Sequence, residues 1–375
     1  MRESVKLTLA AVVALLLKLF LAAYTVGTND ARTWEFDRAA LRTTGFADLY
    51  RSGVQYDSPD GRLSQRQAFI HPPAVLLVLR ILGNRFWLRA ACAIADAGTL
   101  LLWRMFARVS LMVALSPISI LISGFHGNTD PIMMFFLVAT VLFAERGNAA
   151  RAGIAFGLAC SVKLIPLIFA PAILLSLPGC RPRLKWLAAS VAVWVTLSLP
   201  YLAQEPLLIL RSMLGYSGAT GLWGFSLISS RVYDPAAKWI ALLAASCLPL
   251  LIKKRLFAQC GLIAFSFLLL SPGFGQQYLA WTVPWAMLLP RRSMIAYHIV
   301  VGSAALVVYA AASHNTSAGV YADLLNPLHF PILILMGIVC WVAMGASMAT
   351  LWVDRNQVLP ARPGDLGNIA TAPDC

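Results

Sequence analysis

Charge is what this chain has least of. Only 12% of its 375 residues are Asp, Glu, Lys or Arg, against about 25% in an ordinary soluble domain. With 59% of residues hydrophobic and a mean hydropathy of +0.74, a water-soluble globule is excluded. Acidic residues are the scarcer sign, 16 against 30 basic, for a net charge of +14. That excess does not mark a nucleic-acid partner, because the basic residues fall mostly in short gaps between apolar runs, where they set membrane orientation. Disulfide and metal frameworks are also missing: Cys92, Cys160, Cys247, Cys260 and Cys340 lie inside apolar runs, and Cys180 and Cys375 fall in polar stretches expected on the cytoplasmic side. No polar block is large enough to fold alone, and no internal repeat, parallel or inverted, is visible. Transporters are often built from such repeats.

What the sequence does have is apolar runs. At about 20 residues per straight span, and fewer where protein surrounds the helix, spans are expected near 7–26, 88–107, 110–125, 131–145, 152–162, 165–178, 186–203, 237–252, 256–270, 278–290, 293–312 and 329–353. The fold class is therefore an all-α polytopic membrane protein, a bundle of about 12 (10–13) transmembrane helices. The range arises mainly because 152–178 reads either as one kinked span or as a pair broken at Pro166 and Pro171. Residues 1–353 form a single transmembrane domain. The first run is longer than a signal-peptide core and many spans follow, so it reads as an uncleaved helix. The pairs Arg2/Lys6, Arg104/Arg108, Arg146/Arg151 and Arg291/Arg292, with the clusters Arg181/Arg183/Lys185 and Lys253/Lys254/Arg255, share one face when that helix runs outward. That face is the cytoplasm. Both termini then lie inside, and 354–375 is a polar cytoplasmic tail expected to be disordered.

The outer face carries a long first loop, 27–86, dense in both signs, whose segment from Phe69-Ile70-His71-Pro72-Pro73 to Leu82 is too short to span and reads as an interfacial helix. Just outside the first span lies Thr28-Asn29-Asp30-Ala31-Arg32-Thr33-Trp34-Glu35-Phe36-Asp37-Arg38. In a helix, Asp30, Trp34 and Asp37 share a face, placing two carboxylates beside a ring. Such a carboxylate can act as general base towards a sugar hydroxyl while the ring stacks on the sugar. Asp30 reads equally as a helix N-cap. Glu35-x-Asp37 resembles a metal-nucleotide motif, but nucleotide-sugars are cytoplasmic and this loop is not.

Three further groups can carry chemistry. In Gly124-Phe125-His126-Gly127-Asn128-Thr129-Asp130-Pro131, Asp130 before a first-turn proline has a structural reading, whereas His126 and Asn128 are placed to donate to phosphate or sugar. In Ser271-Pro272-Gly273-Phe274-Gly275-Gln276-Gln277-Tyr278-Leu279-Ala280-Trp281, an interrupted span can line a cavity, and Gln276, Gln277 and Tyr278 can bind hydroxyls. A tight outer turn with Tyr278 and Trp281 as belt aromatics explains it as well. Lys163, at the break before Pro166, can meet a lipid phosphate as a point charge, while Lys18 and Asp96 are expected to pair inside the bundle. Asn315-Thr316-Ser317 matches a glycosylation sequon, a pattern that recurs by chance.

Taken together, Asn29-Asp30 with Trp34, His71-Pro72-Pro73, Ala95-Asp96, His126 to Asp130, Lys163-Leu164-Ile165-Pro166, Trp223-Gly224-Phe225-Ser226, and Ser271 to Gly275 followed by Tyr278 and Trp281 resemble the GT-C superfamily of membrane glycosyltransferases that use polyprenyl-phosphate sugars. Within it the chain is most similar to glycosyltransferase family 87, the bacterial polyprenol-phosphate-mannose type, and more distantly to the GPI mannosyltransferase catalytic subunit. The resemblance implies a GT-C-like bundle in a bacterial inner membrane with its site on the outer face. It also implies inverting transfer of a hexose, mannose in this family, from a polyprenyl-phosphate donor to a glycolipid or glycan hydroxyl. Membrane lipids would be partners, nucleic acid would not, and no cofactor or metal is expected.

The matching base is Asp30, with Glu35 and Asp37 as alternatives close by, where the superfamily pattern would be a tidier Asp-x-Asp. The expected substrate contacts are Trp34, Arg32, Arg38, Arg66, His71, His126, Asn128, Asp130, Lys163, Gln276, Gln277, Tyr278 and Trp281. The competing readings are a transporter or lipid-linked sugar flippase, and a non-catalytic membrane scaffold.

Overall fold

A computed structural model describes residues 2–58, 64–105, 109–216, 220–228, 235–252 and 254–353. The expected tail, 354–375, lies outside the described residues. Helix α1 (Arg2–Tyr24) passes without a loop into strand β1 (Thr25–Thr28) and helix α2 (Asn29–Thr43). The first long loop continues through α3 (Phe46–Arg51), a hairpin of β2 (Val54–Asp57) and β3 (Ser64–Gln67), and α4 (Ala74–Leu82) before α5 (Arg85–Arg104) re-enters the bundle. Short α6 (Leu111–Ala114) and α7 (Pro117–Ile120) run into a π-helical turn at Leu121–His126, followed by α8 (Asp130–Glu145) and α9 (Ala149–Val162). After a 3-10 turn at Ile165–Phe169 come α10 (Ala170–Ser176), α11 (Cys180–Leu202) and α12 (Pro206–Gly215). The rest comprises α13 (Pro235–Cys247), α14 (Leu256–Leu270), 3-10 turns at Gln276–Trp281 and Trp285–Leu288, α15 (Arg291–Ala312), β4 (Ser313–Thr316), β5 (Gly319–Ala322) and α16 (Phe330–Val353).

The all-α polytopic class holds, with two small sheets beside the helices. Among the described residues, α1, α5, α11, α15 and a helical stretch ending in α16 are each long and apolar enough to cross a bilayer. None of these five is more than half buried by protein over its apolar window. Leu9, Phe20, Ile94, Leu306 and Val342 stand exposed on them, as befits helices whose outward faces meet lipid. The chain is an integral membrane protein.

Helix packing follows from small residues. A Cβ added at Gly153 of α9 would lie 2.3 Å from the Trp186 carbonyl oxygen of α11, and one at Gly157 would lie 2.6 Å from that of Ser190. This Gly-xxx-Gly face lets the two backbones touch.

Two expectations change. The span expected at 278–290 is not an α-helix but two 3-10 turns sunk in the bundle, with Gln276 to Trp281 buried throughout. Pro284 and Pro290 break it, and irregular backbone is tolerated at that depth because protein surrounds it. Of the two readings left open for 152–178, the broken pair is the one observed, with Lys163 in extended backbone between α9 and the 3-10 turn. The gap left between the spans expected at 186–203 and 237–252 is not all loop but contains helix α12. Lys18 and Asp96 do pair, and the Ser119 hydroxyl donates to the same carboxylate at 2.7 Å. All six described cysteines are free thiols.

Candidate active site

Two motifs far apart in sequence meet where β1 passes the π-helical turn. The Thr28 hydroxyl donates to the His126 carbonyl at 2.8 Å. The fully buried Arg89 of α5 locks the junction, its guanidinium donating to the carbonyls of Ala22 and Thr25 at 2.6 Å each, to the Thr25 hydroxyl at 2.9 Å and to the Phe125 carbonyl at 3.3 Å. Glycine is required on both sides of this crossing. Gly27 (φ +94°) would place a Cβ 2.7 Å from the Phe125 oxygen, and Gly127 (φ +85°) would place one 2.6 Å from the Ala31 Cβ. Gly127→Ala is expected to push the His126 turn off α2 and to lower both the melting temperature and activity; a variant with unchanged melting and rate would show that the crossing has slack.

Asp30 sits in the first turn of α2, where the helix dipole favours an anion. Its Oδ2 accepts from His126 Nε2 at 3.0 Å and from the Asn128 side-chain amide. Among the described residues its Oδ1 has no partner, and the side chain is 33% exposed. A carboxylate only accepts, so His126 Nε2 carries a proton, and His126 Nδ1 is left for the Tyr309 hydroxyl at 2.6 Å. Burial alone would raise the Asp30 pKa. The His126 ring beside it, the hydrogen bonds from His126 and Asn128, and the Lys163 charge outweigh that and hold it at about 2. Asp30 is therefore an ionised carboxylate with one oxygen clamped and the other open.

Beside it stands a cation. Lys163 Nζ donates to both oxygens of the fully buried Asp130, at 2.8 and 2.9 Å. The Trp281 indole N–H also donates to Asp130 Oδ1. Two of the three ammonium protons are thus used, which leaves one for a ligand. The Tyr278 ring lies 5.8 Å from Lys163 Nζ and stacks on Trp281 at 4.3 Å. Gln276 and Gln277 are buried nearby in the chain, and neither side-chain amide makes a hydrogen bond among the described residues.

The remaining expected residues do not gather here. Trp34 is 4% exposed, with the His71 ring at 4.6 Å and Phe69 at 6.3 Å. Its face is covered by the loop's own core, so it is not an open platform for a sugar. The His71 imidazole is held down to about pKa 3 by burial and then by Lys163, against the opposing pull of Asp30, so it is neutral and borders the site as a dipole. Glu35 pairs with Arg32 at 2.9 Å and Arg85 at 3.6 Å. Arg32 also lies over the Phe36 ring. Arg38 lines a crevice between α2 and α4, and Arg66 is exposed on β3. None of the three arginines contacts Asp30 or Lys163.

Asp37 is 3% exposed in that same loop core, and among the described residues its carboxyl has neither a hydrogen bond nor a cation. Burial pushes its pKa up to about 7. It is not positioned as a partner of Asp30. Because the folded value lies above the unfolded 3.8, stability is full in acid and falls as pH rises from the unfolded value to the folded one. Asp37→Asn is therefore expected to raise the melting temperature by several degrees at about pH 8 and to change nothing near pH 4; equal melting shifts at both pH values would contradict this.

Residues outside the expected set complete the site. Tyr309 and Arg89 orient the His126 turn. Tyr216, beyond α12, accepts from the Tyr278 hydroxyl at 3.3 Å, and its ionisation is opposed by burial and by the charges of Asp30 and Asp130. Lys238 holds the carbonyls of Leu214, at 2.6 Å, and Tyr216. Tyr216 carried one readable signal, an aromatic in the gap between two expected spans. Arg89 and Tyr309 carried none, being single polar residues in apolar runs.

Fold and site together define a polytopic helical membrane protein with a clamped carboxylate and a lysine at one end of its bundle. A family model described as mannosyltransferase (PIG-M) matches residues 122–204, the stretch that holds His126, Asn128, Asp130 and Lys163. The resemblance to membrane glycosyltransferases read from the sequence stands on that match. Among solved structures, the chain is similar to ArnT from Cupriavidus metallidurans bound to undecaprenyl phosphate, at 14% identity and a TM-score of 0.48, covering 92% of this chain and 76% of that one. It is similar likewise to ArnT from the same organism in the apo state, at 14% identity and a TM-score of 0.47, covering 94% and 77%. No curated protein matches the chain.

Proposed function

We propose that this protein is an inverting glycosyltransferase that moves a hexose, mannose by its family likeness, from a polyprenyl-phosphate carrier to an acceptor hydroxyl on the outer face of a bacterial inner membrane. The observation that carries the reading is that Asp30, whose Oδ1 has no partner among the described residues, lies within the electrostatic reach of Lys163, whose bonds to Asp130 leave one N–H over among those residues. The basic gaps of the sequence put this end of the bundle outside. No nucleotide-sugar is available there, so an activated sugar arrives on a lipid whose phosphate lies at headgroup depth.

In the step, Asp30 Oδ1 takes the proton of the acceptor hydroxyl while that oxygen forms its bond to the anomeric carbon. The bond from that carbon to the phosphate oxygen breaks on the opposite side, its electron pair leaves with the polyprenyl phosphate, and Lys163 stabilises the anion. A carboxylate held near pKa 2 is a weak base at rest. It receives the proton late, once bond formation has made the hydroxyl acidic. A bound donor phosphate also screens Lys163 and raises the basicity of Asp30 at that moment. His126 and Asn128, both already bonded to Asp30, aim the base and do not hold phosphate. Gln276 and Gln277, whose amides make no hydrogen bond among the described residues, supply partners for sugar hydroxyls.

The reaction is expected to need no metal, so chelation should leave the rate unchanged. Because Asp30 is already ionised, kcat/KM should show no acid limb from about pH 5 to about pH 8. Purified protein in lipid nanodiscs, given labelled polyprenyl-phosphate mannose and a panel of glycolipid acceptors, is expected to form a glycoside and free polyprenyl phosphate. Transfer from a nucleotide-sugar, with none from the lipid-linked donor, would overturn the reading.

A further inference from the structure

The residue before the base is held by the far end of the chain. β1 pairs in parallel with β5, with Gly27 opposite Tyr321 and Thr28 opposite Ala322, so the next residues, Asn29 and Asp323, come side by side. Asn29 Nδ2 donates to the Tyr321 hydroxyl at 2.7 Å and to Asp323 Oδ1 at 2.9 Å, with the Tyr56 hydroxyl further away at 3.2 Å. Asn29 Oδ1 accepts the Leu324 amide at 2.7 Å. Tyr56 and Tyr321 share a hydrogen bond at 2.5 Å, and Asp323 Oδ1 also accepts the Leu325 amide at 3.2 Å. Asn29, Tyr56, Tyr321 and Asp323 are all buried.

An amide has two N–H groups, and here the two shorter contacts take them. The donor side of Asn29 thus meets a carboxylate and its acceptor side meets a backbone amide, so a flipped amide would lose both bonds. This fixes the first turn of α2 at its start, where Thr28 provides no side-chain cap because its hydroxyl is spent on His126. Asp30 is the next residue.

Resting on the assignment of Asp30 as base, we propose that Asp323, acting through Asn29, is a positioning residue of the reaction, which makes the outer segment Ser313–Leu325 part of the active site and not a spacer between α15 and α16. A base displaced by about 1 Å loses on the order of a hundredfold in rate. Donor binding at Lys163 and Asp130 is on other elements and is left intact.

The test is a cycle of Asn29→Asp, Asp323→Asn and the reciprocal double variant, run beside Asp30→Asn in nanodiscs. Asn29→Asp sets two carboxylates against each other, and Asp323→Asn removes the charged acceptor. Each single variant is expected to lose about a hundredfold in kcat, with the donor KM within about twofold of the parent. In the double variant the carboxylate now at position 29 accepts from the amide now at position 323, from the Leu324 backbone and from the tyrosine hydroxyls, and kcat is expected to recover to within about tenfold of the parent. A parental kcat in Asp323→Asn, or a double variant as slow as the singles, overturns the proposal. So does a loss confined to donor KM. Should a single variant not fold, Tyr321→Phe, which removes one acceptor of Asn29, is expected to lower kcat several-fold with KM unchanged, and a parental kcat there also overturns it. Inactive Asp30→Asn with a parental Asp323→Asn sinks this inference alone, whereas active Asp30→Asn sinks the assignment of the base on which it rests.

Discussion

Asp30→Asn is expected to lower transfer by about 10²- to 10⁴-fold, the usual worth of a positioned general base, while the protein still folds, with a melting temperature lowered by a few degrees because the ionised carboxylate is the favoured form, and donor KM stays near that of the parent. The substitution is close to isosteric. The amide oxygen can still accept from His126 Nε2 and Asn128, so the clamp persists, and the group that disappears is the open Oδ1. The variant therefore separates chemistry from architecture. Initial rates with labelled donor, measured beside thermal melting in detergent, give both readouts. Loss of rate together with loss of folding would make Asp30 a structural anion of the α2 N-terminus, and a fully active variant would remove it from the mechanism.

Lys163→Met is expected to have the largest effect on stability. Asp130 is fully buried, and Lys163 is its cation in the ion pairs found among the described residues. Removing one partner of a buried pair typically costs about 3–5 kcal/mol because the other charge is left uncompensated. The Trp281 indole N–H offsets only part of this. The single variant thus confounds folding with phosphate binding, and a double variant resolves them. Lys163→Met with Asp130→Leu removes both charges, and such replacement is often neutral or stabilising. The double variant is expected to melt near the parent yet remain strongly impaired in transfer, with the donor KM raised at least tenfold. Parental donor KM in a well-folded double variant would show that Lys163 holds Asp130 in place and nothing else.

The parts of this architecture legible in the sequence were the local ones. Apolar runs, basic gaps and Pro166 placed most of the helices, and the short segment before Leu82 became α4. The motifs at Asp30, His126 and Lys163 each stood at a helix junction, and the structure brings these three together. The helical spacing of Asp30, Trp34 and Asp37 did form a helix. Spacing could not say that Trp34 and Asp37 turn into a core whose other members, Tyr50 and Phe69, come later in the chain.

Long-range pairing was illegible for a similar reason. Four-residue strands such as β1 and β5 carry too little alternation to register, so nothing local joined Asn29 to Asp323 or His126 to Tyr309. His126 and Asn128 looked like phosphate donors because their hydrogen-bonding capacity was visible and its consumption by Asp30 was not. The reverse held for 278–290, where the composition of a span concealed backbone that the prolines break and the surrounding helices shelter.

The configuration of the product linkage tests the central claim most directly. With a β-linked polyprenyl-phosphate mannose as donor, a carboxylate that deprotonates the acceptor for a single displacement gives an α-glycoside, read from the anomeric proton and carbon signals of the isolated product. A β-glycoside would require two displacements or a different attacking group, and would contradict the role assigned to Asp30.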